Sequence, residues 1–167
     1  MKNLIIICIL FLTTSCNYHK SDDKPNIEIK ATLVRTYDST DNNSTKHRYF
    51  DVKIDLKNNS NKQIIFWLMT CSWYDNFKVN NDYIGICIWE CDGNYLHKVS
   101  LSPNFSKTFK CSLLKYKNIS TKSSNYTKLG LIYIDSHKYS KYDEANEILL
   151  CKTKQDSIIW SNPLYLH

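Results

Sequence analysis

The chain has 167 residues, a formal net charge of +6, 43% hydrophobic residues and 13% aromatic residues. That composition excludes a disordered or collagen-like chain and fits one folded domain. The positive charge sits on scattered lysines and only two arginines, Arg35 and Arg48. Nucleic acid is therefore not an expected partner, because binding it calls for basic residues grouped on one face.

Met1-Lys2-Asn3 is a short basic start, and Leu4 to Leu12 is an apolar run. As a helix that run spans about 14 Å, roughly half the core of a bilayer, so it reads as a secretory leader and not as a membrane span. Leu12-Thr13-Thr14-Ser15-Cys16 resembles the lipobox of bacterial lipoproteins. The resemblance implies cleavage before Cys16, three acyl chains on that residue, and attachment to the membrane through lipid alone. Asn17 to Pro25 is polar and reads as a tether. Its Ser21-Asp22-Asp23 step is similar to the acidic tag of Bacteroidota lipoproteins displayed on the outer membrane. That similarity implies outer-membrane placement and leaves both the periplasmic and the exterior face open. The chain divides into a signal peptide (1–15), a lipidated Cys16 with its tether (16–25) and one domain (26–167).

Period-two alternation dominates the domain. Ile27, Ile29, Ala31 and Leu33 alternate with polar neighbours, as do Phe50, Val52, Ile54 and Leu56. The polar stretch from Tyr37 to His47 between them reads as an exposed loop. Asn58-Asn59-Ser60-Asn61 is a turn, built from asparagine because the chain has only 3 Gly and 3 Pro. Gln63 to Trp73 is apolar on both faces, so it lies centrally in a sheet or its outer face meets something. Asp75 to Asp82 reads as a loop and Tyr83 to Cys91 as a strand. Asp92-Gly93 is a turn, and strands over Tyr95–Leu101 and Lys107–Leu114 flank Pro103. Further strands are expected at Leu129–Asp135, Glu147–Cys151 and Ile158–Leu166, with at most one helical turn within Tyr142–Leu150. The expected fold is all-β, with about seven to nine antiparallel strands. Asp55-Leu56-Lys57-Asn58-Asn59-Ser60 and Trp160-Ser161-Asn162-Pro163-Leu164 resemble segments of fibronectin III and immunoglobulin-type modules of bacterial lipoproteins. The resemblance implies an Ig-like β-sandwich and little about activity.

Five cysteines follow Cys16: Cys71, Cys87, Cys91, Cys111 and Cys151. An exported chain is expected to oxidise some of them. Cys87 and Cys91 on one strand would stand about 13 Å apart, too far for a bond. The preferred bridge joins Cys71 to Cys91, near two Trp-bearing strands, and Cys111 with Cys151 is the weaker second pair. Cys87 and Cys91 supply half of a zinc site, but no second half appears, so no metal or other cofactor is expected.

No Gly-x-Ser-x-Gly, His-Glu-x-x-His or Gly-rich phosphate loop is present. The five histidines and the Asp135/Asp143 pair carry no catalytic pattern. The aromatic segment Trp73, Tyr74, Phe77 and Tyr83 reads either as core packing or as an exposed platform, the candidate contact surface for a protein or glycan partner. These features point to a lipid-anchored binding or scaffolding module without enzymatic activity. An inhibitor or immunity-type lipoprotein that blocks a hydrolase or toxin is the first alternative, and an enzyme with an unrecognised site is the second.

Overall fold

The computed structural model describes residues 25–41, 44–88, 91–116, 126–151 and 158–166. The leader, Cys16 and most of the tether lie outside them.

Antiparallel strands make up most of the described chain. One sheet is formed by β1 (Ile27–Thr40), β2 (Lys46–Asn58), β7 (Ser106–Lys115) and β5 (Ile84–Ile86), in the order β1-β2-β7-β5. Its inward row contains Ile29, Ala31, Val52, Ile54, Cys111 and Leu113, as the period-two pattern requires. A second group contains β10 (Ile158–Trp160), β9 (Leu129–Ile132) and β4 (Phe77–Val79), in that order. Further along the same strands, β11 (Leu164–Tyr165) pairs with β8 (Tyr126–Thr127), and β3 (Ile64–Met69) pairs with β6 (Leu96–Leu101). Trp67 N donates to Ile134 O (2.9 Å) and Ser136 N to Ile65 O (3.2 Å), so β3 runs beside the continuation of β9. Phe66, Leu68, Leu129, Leu131 and Leu164 from this layer meet the inward row of the first sheet in one core.

The expected loop over Tyr37–His47 is mostly strand. β1 and β2 remain paired as far as Thr40 and Lys46, past a bulge between Leu33 and Arg35. Polar cross-strand pairs carry the hairpin beyond the core: Tyr37 stacks on Tyr49 at 5.3 Å, and Arg48 bonds Asp38 at 2.9 Å. A short strand was also expected at Glu147–Cys151, and this segment is instead the end of a ten-residue helix, α1 (Tyr142–Cys151). Ala145, Ile148 and Leu149 follow helical spacing, and Asp143 and Glu144 occupy the positive first turn. The apolar run Ile148-Leu149-Leu150 imitates a strand because Leu150 is exposed. The helix covers the outer face of the second layer, against Trp67, Leu96, Ile132 and Ile134. This is the element that β3, apolar on both faces, requires. Trp67 Nε1 donates to Tyr139 O at 2.7 Å beside it.

Asparagine amides close the gaps between strands. Asn58 is fully buried, and its Nδ2 donates to Lys62 O, Leu101 O and Ser102 O at 2.8–3.2 Å. Its Oδ1 accepts from Ser60 N and Ser60 Oγ. One side chain thus ties the β2–β3 turn to the β6–β7 turn. Asn58→Ala removes this donor from the buried Leu101 carbonyl and the part-buried Lys62 and Ser102 carbonyls, and a buried group left unsatisfied costs about 1–3 kcal/mol. Urea unfolding is expected to show a loss of about 3 kcal/mol, while an Ala substitution at exposed Lys57 changes stability by less than about 0.5 kcal/mol.

Candidate binding surface

The aromatic segment singled out from the sequence folds inward. Phe66 bridges Asp135 and Phe77 pairs with Leu131, so ten residues between them on one side face three on the other. The excess of seven loops out between β3 and β4 and holds a 3-10 helix, Trp73–Asn76. Asn76 spans the gap from its far end: its Oδ1 accepts from Met69 N (2.9 Å) and its Nδ2 donates to Trp67 O (3.3 Å). The Trp73 ring lies 4.8 Å from Phe109 and 5.5 Å from Phe77. Tyr74 is 8% exposed and Phe77 5%. Trp73 and Tyr83 are half-buried. The expectation of an exposed rim over Trp73, Tyr74, Phe77 and Tyr83 is therefore corrected. These rings line the core because the looped-out residues must cover apolar surface of both layers.

Cys71 and Cys91 are joined, with Cα atoms 5.9 Å apart. The bridge ties the start of the looped-out segment to the strand-to-turn connection ahead of Asp92-Gly93. Asn94 Oδ1 accepts from Ser72 N at 3.1 Å next to it. The expected strand Tyr83–Cys91 is shorter, ending at Ile86, and Cys87 N still donates to Ser112 O of β7 at 2.8 Å. Trp89 lies outside the described residues. Cys87 and Cys111 are free thiols. The second expected bridge, Cys111 to Cys151, is not formed: Cys111 faces the core from β7, whereas α1, ending at Cys151, packs outside the second layer. Burial pushes the Cys111 thiol up to about 12 and raises that of Cys87 as well. Both stay protonated near neutrality, which makes them poor nucleophiles and poor metal ligands.

Among the described residues no three His, Cys, Asp or Glu side chains converge as a metal site. His19 and His167 lie outside them. His47 meets Asp41 at 3.0 Å on the hairpin, and His137 is exposed. His97 is half-buried on β6. Asp135 Oδ1 accepts from His137 N at 2.8 Å and fixes a turn, while Asp143 sits in the first turn of α1.

The two outer faces differ. On the first sheet, Arg35 Nε donates to one oxygen of Asp51 (2.5 Å) and Ser112 Oγ to the other (2.6 Å). Asp55 accepts from Lys53 (2.8 Å) and Thr108 (2.5 Å). Both carboxylates of this face, Asp51 and Asp55, are thus engaged within the sheet. The outer face of the second layer is apolar under α1, and beyond the helix it opens into exposed aromatics. Trp160 is 39% exposed, Tyr126 41% and Tyr165 57%. Tyr126 pairs with Tyr165 across β8 and β11, with ring centroids 6.4 Å apart, and Trp160 pairs with Gly130. Sequence reading missed this strip because Trp160 fell in a closing segment read as structural. The signal that marks it is the alternation Tyr126, Lys128, Gly130 on one strand face.

Two outcomes test this account of the site. The bridge closes a loop across a sequence separation of 20 residues, for which chain entropy gives about 3 kcal/mol. Cys71→Ser with Cys91→Ser is expected to lower urea-unfolding stability by about that amount with the far-UV spectrum retained. The Ser112 and Arg35 hydrogen bonds hold the Asp51 carboxyl below its ordinary value. Its stabilising effect is complete above the ordinary carboxylate pKa and is lost as pH falls through the depressed one. Carboxyl NMR titration of Ser112→Ala is expected to move Asp51 upward, and acid unfolding to begin at higher pH.

Compared with known proteins, the chain matches no family model and no curated protein.

Proposed function

We propose that this chain is a lipid-anchored, extracytoplasmic binding or scaffolding protein built on an Ig-like β-sandwich and without enzymatic activity. The strand order β1-β2-β7-β5 supports the sandwich reading, because it corresponds to the A-B-E-D order of immunoglobulin domains. The order β10-β9-β4 corresponds in the same way to G-F-C. The observation that carries the location is the Cys71–Cys91 disulfide. Structural disulfides belong to oxidising compartments, and the leader ending at Cys16 supplies the route to one. A domain tethered through lipid needs no membrane-binding surface of its own. The partner, a protein or a glycan, then meets the exposed strip of Trp160, Tyr126 and Tyr165 and not the buried Trp73 segment.

The test is fractionation. The native chain is expected in the membrane fraction, and Cys16→Ala is expected to shift it to the soluble extracytoplasmic fraction or to leave it as uncleaved precursor. Membrane association of a processed Cys16→Ala protein at the native level would reject the anchor.

A further inference from the structure

The outer strip of the second layer carries charge as well as rings. Across β4, β8, β9, β10, β11 and the residue joining β8 to β9, the only charged residues are Lys78 and Lys128. Lys78 stands opposite Gly130 on the side away from Trp160, so Lys78, Gly130 and Trp160 form one cross-strand row. Lys128 lies between Gly130 and Tyr126 on the same face of the strand. Asn80 fixes this segment, its Oδ1 accepting from Lys128 N (2.6 Å) and its N donating to Lys128 O (3.2 Å). Trp160 lies against the strand backbone: a Cβ at Gly130 would come within 2.7 Å of its ring. The six-membered edge of the indole thus packs over Gly130 while Trp160 stays partly open to solvent.

We infer that this strip binds an acidic polysaccharide, a polymer whose sugar rings carry carboxylates. The inference rests on the binding-module reading above and names the class of ligand. Sugar rings offer apolar C–H faces that stack on aromatic rings, and carboxylates on their rims are attracted by the two lysines. No carboxylate on these strands opposes that charge. Positions 126 and 130 lie about 13 Å apart along the strand, the reach of a short oligosaccharide.

Aromatic residues with lysines also mark membrane-contacting surfaces, but the geometry favours the glycan. The tether enters at Ile27, opposite Asn58. Asn58 bonds Leu101, which pairs with Ile64 next to the Ser136 end of the long strand. Tyr126 lies at the other end of that strand, ten residues or about 33 Å away. Ile27, where the domain follows the tether, thus stands at the end opposite Tyr126 and Tyr165.

The test uses the full-length protein purified in nonionic detergent and passed over immobilised polygalacturonate, with neutral dextran as control. The native protein is expected to be retained by polygalacturonate and not by dextran. Trp160→Ala and the pair Lys78→Glu with Lys128→Glu are each expected to weaken retention at least tenfold. Tyr165→Ser, an exposed residue whose change leaves the core intact, is expected to weaken it several-fold with unchanged urea unfolding. Absence of retention, equal retention on dextran, or retention unaffected in both the lysine and Tyr165 variants would overturn the inference. Displacement by added phosphatidylglycerol would also overturn it and assign the strip to lipid headgroups. Loss of polygalacturonate binding with membrane fractionation intact sinks only the ligand, whereas loss of native membrane association sinks the reading beneath it.

Discussion

Side-chain amides standing in for missing backbone partners hold this fold together. With 3 Gly and 3 Pro in the chain, the irregular connections are closed by asparagine. Asn58 joins two turns at one end of the domain, and Asn76 reconnects the strand that the seven-residue excursion interrupts. Asn162 reaches the other layer: its Oδ1 accepts from Ala31 N (2.8 Å) and its Nδ2 donates to Ala31 O (3.1 Å). That pair of bonds imitates a neighbouring strand and occupies part of the open edge of β1. Ser161 beside it bonds Leu129 N through its hydroxyl, so the β10–β11 connection grips both layers.

This arrangement also explains what was legible in the sequence. Strands β1, β2, β6 and β7 were readable because each has one buried and one wet face, and strict alternation records that. The β3 pattern correctly demanded a cover, but the cover was misread: α1 exposes Leu150 beside Ile148 and Leu149, so the apolar run mimicked a strand. The hairpin tip was read as a loop because its pairing rests on polar and aromatic cross-strand contacts that hydrophobic period does not register.

The candidate site was the least legible part. Counting aromatics drew attention to Trp73 to Tyr83, where the rings are dense because the excursion must fill space between layers. Exposure depends on which strand lies opposite, and that is a tertiary fact. Trp160 faces solvent because its partner is Gly130, whose missing side chain leaves room for the indole on the strand face. The other sheet presents an outer surface of comparable polarity, but Arg35, Asp51, Ser112, Lys53, Asp55 and Thr108 are engaged with one another there.

The first described strand begins at one pole of the domain, and the aromatic strip lies on a flank leading to the other. On the proposed function, disulfide, leader and strip describe one object, a domain displayed from a membrane with its contact surface turned away from it. The intact mass of the protein extracted from the cell envelope without reductant tests this most directly. The account predicts a chain beginning at Cys16, carrying acyl groups and two hydrogens lighter than its fully reduced form. A chain beginning at Met1, without acyl mass and with every thiol reduced, would contradict it.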